Sequence, residues 1–352
     1  MSFEIGVMTF AEVTADLSTG RLPAPQQRVR ETVELAQLAD QVGLDVFGIG
    51  EHHRSDFVAS APPVLLAAAA ERTERIRLTS AVTVLSSDDP VRVWEQFATL
   101  DLLSGGRAEI IAGRGSYSET FALFGNDIRD YNALFREKLD LLLRIRDGNP
   151  LSWEGRFRAP LVDADIAPRA AGATLPIWVG VGGSAASAIS TGRLGLPMAL
   201  ALLLGPMNGQ HEAVSLYRES AAEAGHAATT AVSINAHGHV AGTSQDAREE
   251  MYPYFAKGMM DNNHQRGRGF PISRSTFQAQ ASAAGGLIVG SPQEVVDKML
   301  RYHELYGLNR IVVHTGFGGL AHSDHMRAVE LLGTEVAPVV RREVAARSAV
   351  PA

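Results

Sequence analysis

The arrangement of apolar segments constrains this chain more than any other feature of its sequence. Eight strand-like runs alternate with amphipathic helical segments along the 352 residues. The runs are 4–10, 46–51, 76–85, 108–113, 177–181, 198–204, 232–241 and 310–314. Several are apolar on both faces, which is typical of parallel strands covered by helices. The pattern predicts an α/β fold, and it is shared by the (β/α)8 barrel and the doubly wound open sheet.

Helix signals between the strands support this alternation. The pair DP at 89–90 supplies a capping side chain and a first-turn proline, and SGG at 104–106 ends that helix. The sequence SPQE at 291–294 is a capping box that opens a later helix, which Gly307 closes.

Two segments interrupt the alternation. Residues 151–175 form a proline-punctuated stretch before the fifth strand, and residues 258–290 form a polar, glycine-rich stretch between the seventh and eighth strands. Long loops in compact domains are often functional lids, so we expect 258–290 to be a lid insertion. The sequence has no internal repeat and no break in composition. We therefore expect residues 1–352 to form a single domain.

Composition excludes several classes of protein. The absence of cysteine excludes disulfides, thiolate zinc sites, iron–sulfur clusters and cysteine nucleophiles. The formal net charge of −7 shows no basic excess that would attract nucleic acid. No apolar run approaches the roughly 20 residues that span a bilayer, and the first ten residues do not resemble a signal peptide. A cytoplasmic protein with a small-molecule substrate is the expectation.

The end of the second strand carries residues that could perform chemistry. Glu51, His52 and His53 follow one another there, and they could bind a metal ion or supply a general base. A metal hydrolase would need further ligands from other strands, for which the candidates are His237, His239 and His314. It is equally consistent with the spacing that one histidine faces the core and the other caps the next helix.

Small residues and glycines mark the ends of other strands. The third strand contains TSAVTV at 79–84, which would let a flat ligand approach the backbone or allow tight packing. The fourth ends in AGRG at 112–115, and the eighth in HTGFGG at 314–319. The fifth strand leads through GVGGS at 180–184 into a helix, whose free N–H groups favour a phosphate. Neither a G-x-G-x-x-G nor a Walker motif is present.

Taken in order, these segments resemble the bacterial luciferase-like flavin monooxygenase family. The matching runs are FGIGEHH at 47–53, TERIRLTSAV at 73–82, DPVR at 89–92, LLSGGR at 102–107, AGRG at 112–115, GSPQE at 290–294 and GTEVAP at 333–338. The ordered set covers almost the whole chain. The resemblance implies a (β/α)8 barrel that binds reduced FMN, or a reduced deazaflavin, at the strand ends.

The resemblance also implies roles for particular residues. His52 matches the family's catalytic base, with Glu51 beside it. The flavin would lie against a non-proline cis peptide bond, expected at Ser80–Ala81. The remaining residues expected to bind the cofactor are Gly113, Arg114, Gly115, Val181, Gly182, Gly183 and Ser184.

Two departures from the family pattern limit what can be carried over. Asn132 occupies the position of a phosphate-binding arginine, so the phosphate would depend on the glycine loop, on Arg114 or on an arginine of 258–290. Gly113 replaces the reactive cysteine of luciferases, so light emission is not expected.

The sequence thus favours a two-component monooxygenase that receives reduced FMN from a separate flavin reductase. The resemblance further implies a homodimer. Alternatives are a deazaflavin-dependent oxidoreductase that transfers hydride without oxygen, and a non-catalytic flavin-binding relative of luciferase. The metal hydrolase ranks last.

Overall fold

The computed structural model describes residues 3–17, 19–115, 117–172, 174–262 and 270–348. Its strands are β1 (Glu4–Thr9), β2 (Val46–Ile49), β3 (Arg77–Ser80), β4 (Thr83–Val84), β5 (Ala108–Gly113), β6 (Leu151–Trp153), β7 (Leu161–Ala164), β8 (Ile177–Val181), β9 (Met198–Leu202), β10 (Val232–Val240), β11 (Ile288–Gly290) and β12 (Arg310–His314). Parallel pairing runs β1–β2–β3–β5–β8–β9–β10–β12 and returns to β1. The sheet is therefore closed, and the predicted (β/α)8 barrel is confirmed over the open sheet.

Helices follow the barrel strands and cover the outside of the sheet. They are α1 (Pro25–Gln41), α2 (Pro62–Ala70), α3 (Pro90–Ser104), α4 (Glu119–Leu123), α5 (Tyr131–Asp147), α6 (Ala185–Arg193), α7 (His211–Glu223), α8 (Ser244–Asn262), α9 (Arg274–Ala281), α10 (Pro292–Tyr306), α11 (His322–Leu331) and α12 (Ala337–Ser348). The predicted caps are present, since Asp89 accepts a hydrogen bond from Val91 N and Ser291 accepts one from Glu294 N. Gly105 and Gly307 end their helices with positive φ angles.

The third predicted strand, 76–85, is two short strands rather than one. β3 pairs with β2 and β5, and β4 resumes the pairing with β5 after a break. The non-proline cis peptide bond lies in this break, but it joins Ala81 and Val82. The expected position, Ser80–Ala81, is therefore wrong by one residue. The Ala81 amide still donates to Ile49 O at 2.7 Å, so the chain follows β2 through Ala81 before it departs.

Both predicted insertions contain secondary structure. The stretch before the fifth barrel strand forms an antiparallel hairpin of β6 and β7. The 258–290 segment begins inside α8, contains α9 and ends with β11, which pairs with β10 at the edge of the barrel. Residues 263–269, which include Asn263, Arg266 and Arg268, lie outside the described part of the chain.

The two ends of the barrel interior differ in chemistry. At the amino end, Arg310 is 1% exposed and forms ion pairs with Glu109 and Glu4. At the carboxyl end, the interior carries glycines, aromatic rings and histidines. Side chains alternate between the two faces of a strand, so the residues between these positions point outward into the core under the helices. The functional candidates thus collect at the carboxyl end, as in other proteins with this fold.

Across the helices that the structure describes, none combines the length and the apolar character that crossing a bilayer requires.

Candidate active site

Glycines from β2, β5 and β8 line the carboxyl end of the barrel interior beside the cis peptide bond. A Cβ atom on Gly113 would lie 2.4 Å from Val82 Cγ2, and one on Gly180 would lie 3.0 Å from Val82 Cγ1. A Cβ atom on Gly48 would lie 3.1 Å from Ala81 Cβ. Larger residues would displace the backbone bulge, so these glycines preserve a flat surface that a ring system can approach.

The imidazole of His52 lies just beyond β2 and is enclosed by aromatic side chains. Its ring centroid is 4.7 Å from that of Phe10, 4.3 Å from that of Phe57 and 4.9 Å from that of Tyr117. Burial lowers the pKa of His52 to about 3, and the charge of Arg54 acts in the same direction. His52 is therefore neutral near pH 7, which is the form that can accept a proton.

The carboxylate of Glu51 interacts with residues other than His52, although the two are adjacent in the sequence. Its carboxylate contacts His53 Nε2 at 2.8 Å and accepts a hydrogen bond from Val84 N at 2.9 Å. Successive residues near a strand end point to opposite sides, and this separates the two groups. Glu51 is thus placed to hold the loop after β2 against β4.

Ser80 supports the bulge from within the sheet. It is fully buried, its hydroxyl oxygen accepts a hydrogen bond from Ile111 N at 3.2 Å, and Thr83 Oγ1 donates to it at 2.8 Å. These bonds connect β3, β4 and β5 where the regular pairing is interrupted. Ala81 differs, because it belongs to a buried cluster with Met8 and Val312 in the barrel interior.

Arg114 occupies the loop directly after β5. Its guanidinium carbon lies 4.4 Å from the centroid of the Phe135 ring, and its Nε atom is buried without a hydrogen-bond partner. Burial lowers the pKa of Arg114, although arginine remains charged at physiological pH. Next to it, Gly115 has a φ of +81° and its carbonyl accepts a hydrogen bond from Tyr131 Oη at 2.9 Å.

The loop after β8 only partly matches the expectation. A Cβ atom on Gly182 would meet nothing within 4 Å. Ser184 is the exposed N-cap residue of α6, and its side chain accepts no hydrogen bond from the helix amides. Gly183 has a φ of +90°, and a Cβ atom there would lie 2.3 Å from Gln210 Oε1. The side chain of Val181, however, is 1% exposed and packs outward into the core. Strand alternation gives the inward position to Gly180, which is not among the residues that the sequence predicts to bind the cofactor.

Arg136 is a second residue that sequence reasoning missed. It lies on α5 one helical turn after Asn132 and is exposed. Burial is the main cause that lowers the pKa of Arg114, and the positive charge of Arg136 lowers it further. The two cations therefore lie near each other. The i, i+4 spacing from Asn132 was the available signal, because residues so spaced share a helix face.

The histidines considered as metal ligands do not lie together around one point. His239 Nε2 contacts Glu250 Oε2 at 2.7 Å, and His53 is engaged by Glu51. His237 and His314 face the barrel interior with ring centroids 4.9 Å apart. In the described parts of the chain, no three His, Cys, Asp or Glu side chains converge as a metal site requires. The ligand set of a metal hydrolase is thus not assembled by these residues.

A cleft of about 480 Å³ lies between the loop after β1, the loop after β2 and the end of α8. Its charged lining consists of two ion pairs, Arg54 with Asp56 and Lys257 with Asp261. The guanidinium of Arg54 also lies 5.3 Å from the centroid of Phe57, a ring that contacts His52. The cleft is therefore adjacent to the aromatic enclosure of His52.

The residues at the carboxyl end fit a planar cofactor with an anionic tail. β5 and β8 are neighbours in the barrel, so Arg114 and the Gly182–Ser184 loop lie on adjacent strands. The glycine-lined bulge suits a flat ring, and the unpartnered Nε of Arg114 suits an anion.

Comparison with known proteins gives a consistent match. The family model described as luciferase-like monooxygenase matches residues 3–308. The N-acetyl-S-alkylcysteine monooxygenase of Bacillus subtilis is 32% identical over 196 residues, which are 54% of this chain and 55% of that protein. The chain thus aligns with about half the length of that relative.

Two solved structures share the architecture over nearly their whole lengths. The FMN-bound oxygenating constituent of 3,6-diketocamphane monooxygenase from Pseudomonas putida has a TM-score of 0.74 at 22% identity, covering 96% of this chain and 99% of its own. The coenzyme F420-dependent tetrahydromethanopterin reductase of Methanopyrus kandleri has a TM-score of 0.71 at 21% identity, with the same coverage. At these identities the likeness shows a common fold.

Proposed function

This chain belongs to the luciferase-like monooxygenase family, and on that premise we propose that it is a flavin-dependent monooxygenase that uses reduced FMN and oxygen on a small organic substrate. The observation that carries the proposal is the glycine-lined bulge at Ala81–Val82 with His52 and Arg114 at the same end of the barrel. A flat ring, a proton acceptor and a cation for a phosphate are the elements that such chemistry needs.

The cofactor would be held at its two ends. The ring system would lie over Ala81, Val82 and Gly113, where side chains are smallest. The phosphate would be bound by Arg114 together with the amides of the Gly182–Ser184 loop. Arg136 would supply the second cation that Asn132 does not provide. When bound, the reduced flavin supplies the electrons that activate oxygen.

His52 would exchange protons with the bound substrate. Because its pKa is about 3, it holds a proton poorly unless negative charge develops beside it. Proton uptake would therefore be coupled to charge on the ligand. Phe10, Phe57 and Tyr117 would exclude water from this imidazole, and Glu51 would act as a positioning residue through Val84.

The proposal also extends beyond the barrel mouth. Residues 258–290 would act as a lid, since α8 borders the cleft next to His52. A separate flavin reductase would deliver the reduced cofactor, because the sequence lacks a dinucleotide-binding fingerprint. The 352 residues would form one domain, and two copies would associate as a homodimer.

A deazaflavin-dependent oxidoreductase is the second candidate. The observation that favours it is the fold shared with the F420-dependent reductase, at a TM-score of 0.71. In that case the same surface would orient the deazaflavin for hydride transfer, and oxygen would not be consumed.

Titration of the purified protein separates these candidates. Oxidised and reduced FMN and the deazaflavin would each be titrated by fluorescence, and oxygen uptake would be measured against aldehydes, ketones and aromatic compounds. Binding of reduced FMN with substrate-dependent oxygen uptake supports the proposal. Selective deazaflavin binding without oxygen uptake supports the second candidate, and FMN retention without turnover identifies a non-catalytic flavin-binding protein.

His52→Ala tests the proposed proton exchange. We expect it to slow substrate oxidation while FMN affinity stays nearly unchanged, because His52 lies beyond β2 and the proposed phosphate site lies beyond β5 and β8. His211→Ala, which alters an exposed histidine on α7, serves as the control. An equal loss of FMN binding in His52→Ala would reassign this residue to holding the cofactor.

A further inference from the structure

Two histidines that the proposed function does not use lie side by side inside the barrel. His237 of β10 and His314 of β12 are register partners on adjacent strands, and their ring centroids are 4.9 Å apart. They are only 4% and 3% exposed. Inward-facing polar residues at the carboxyl end of barrel strands are placed to contact a ligand.

Three of the four ring nitrogens of this pair are buried without a hydrogen-bond partner. Neither ring nitrogen of His314 has a hydrogen-bond partner, and Nδ1 of His237 has none. Two other buried histidines each have a paired ring nitrogen, since His325 Nε2 contacts Thr315 Oγ1 at 2.6 Å and His239 Nε2 contacts Glu250, although Nδ1 of His239 is also unpaired. His314 differs from both because neither of its ring nitrogens is paired. Buried polar atoms are costly when unpaired, so an isolated set of them at a strand end indicates a ligand-binding role.

Phe10 packs against both His314 of the pair and His52. The ring centroid of Phe10 is 4.8 Å from that of His314 and 4.7 Å from that of His52. Val312, two residues before His314, belongs to one buried cluster with Met8 and with Ala81 of the cis peptide bond. The histidine pair therefore stands one side-chain layer above the surface proposed for the flavin ring. Phe10 is partly exposed, and its movement would connect the pair to the barrel mouth.

The surroundings of the pair select the chemistry of its ligand. Phe10, Phe255 and Phe317 pack against the two imidazoles, with centroids 4.3 to 5.6 Å away. Burial in these rings lowers the pKa of His237 to about 4 and that of His314 well below its ordinary value, so both are neutral near pH 7. Neutral imidazoles donate hydrogen bonds but cannot balance a buried negative charge.

We propose that His237 and His314 bind an uncharged carbonyl oxygen of the substrate through imidazole N–H groups. Two such donors match the two lone pairs of one carbonyl oxygen. The apolar part of the substrate would pack on Phe10 and Phe317. The inference rests on the proposed function only where it calls this ligand the substrate, because binding itself requires no turnover.

Three probes of similar shape test the inference with the full-length protein and oxidised FMN. Calorimetry would compare cyclohexanone, methylenecyclohexane and cyclohexanecarboxylate. Each of the two hydrogen bonds should raise the affinity for the ketone about five- to tenfold over that for the hydrocarbon. The carboxylate should bind most weakly. In the infrared difference spectrum, the carbonyl stretch of bound 13C-labelled cyclohexanone should move to lower frequency.

Variants assign the preference to the pair. His314→Phe should leave hydrocarbon binding unchanged and should reduce the ketone preference and the infrared shift to what the His237 donor alone supports. His314→Gln, which keeps a donor, should preserve more of both. His211→Phe, at an exposed site, should behave as the wild type. Four results would each overturn the inference. They are equal binding of ketone and hydrocarbon, undetectable ketone binding, strongest binding of the carboxylate, and a ketone preference that His314→Phe leaves undiminished. A ketone preference without flavin-dependent turnover would instead overturn the proposed function alone.

Discussion

The ion pairs at the amino end of the barrel give the most quantitative prediction. Arg310 donates to Glu109 through Nη1 at 2.5 Å and Nη2 at 3.1 Å, and to Glu4 through Nε at 2.7 Å. Burial alone would lower the pKa of Arg310, but the carboxylates of Glu109 and Glu4 raise it. The guanidinium also lies 4.3 Å from the Trp178 ring centroid. Arg310→Met removes this charge from a site that is 1% exposed.

The expected loss arises mainly from the carboxylate that is left behind. Glu109 is 0% exposed, and its remaining cation would be Arg77 at 3.8 Å, whereas Glu4 keeps Arg77 at 2.7 Å. Removing one partner of a buried ion pair costs about 3–5 kcal/mol of folding stability. The double variant Arg310→Met/Glu109→Leu should recover most of that loss, because no unpaired charge remains in the barrel.

Urea unfolding followed by tryptophan fluorescence would measure these changes, with Trp178 reporting from beside the substitution. The deficit of the single variant should shrink at low pH. Without Arg310, burial should raise the pKa of the Glu109 carboxyl. The variant should then be most stable where this carboxyl is protonated, and it should lose folding stability as pH rises. FMN affinity should not change, since this end of the barrel lies opposite the proposed site. A cost below about 1 kcal/mol, or a double variant no more stable than the single one, would refute this reasoning.

Two further substitutions test the carboxyl end of the barrel. The carboxylate of Glu12 accepts a hydrogen bond from Gly318 N at 2.8 Å. Burial raises the pKa of Glu12 from 4.5 to about 7. The folding stability that protonated Glu12 contributes is therefore present below pH 4.5 and is lost as pH rises through 7. Glu12→Gln should therefore be more stable than the wild type by about 3 kcal/mol at pH 8 and no more stable at pH 4, and parallel pH profiles in urea unfolding would contradict this. Gly113→Ala should cost about 1–3 kcal/mol and weaken FMN binding, because its Cβ would lie 2.4 Å from Val82 Cγ2. Gly172→Ala, whose Cβ meets nothing within 4 Å, is the matched control, and equal FMN affinity in the two variants would show that Gly113 does not shape the site.

Position along the strands allowed much of the candidate site to be predicted. His52, Arg114 and the 182–184 loop each follow a strand that the hydrophobic pattern located, and parallel strands present their carboxyl ends on one side. Successive side chains of a strand point to opposite faces, so the sequence could also have predicted that Gly180, and not Val181, faces the barrel interior. The position of the cis peptide bond was missed because it depends on where pairing with β2 stops, which is a property of two strands together.

The sequence by itself determined the eight strands, their order and the family, because hydrophobic period, capping residues and ordered motifs are local along the chain. Tertiary structure decided that the sheet closes, since the pairing of β12 with β1 joins residues about 300 positions apart, as Glu4 and Arg310 show. It also brought His237 beside His314, placed Arg136 near Arg114 and turned Glu51 away from His52. These relations depend on which strands are neighbours and on the direction of each side chain, and neither is encoded in local spacing.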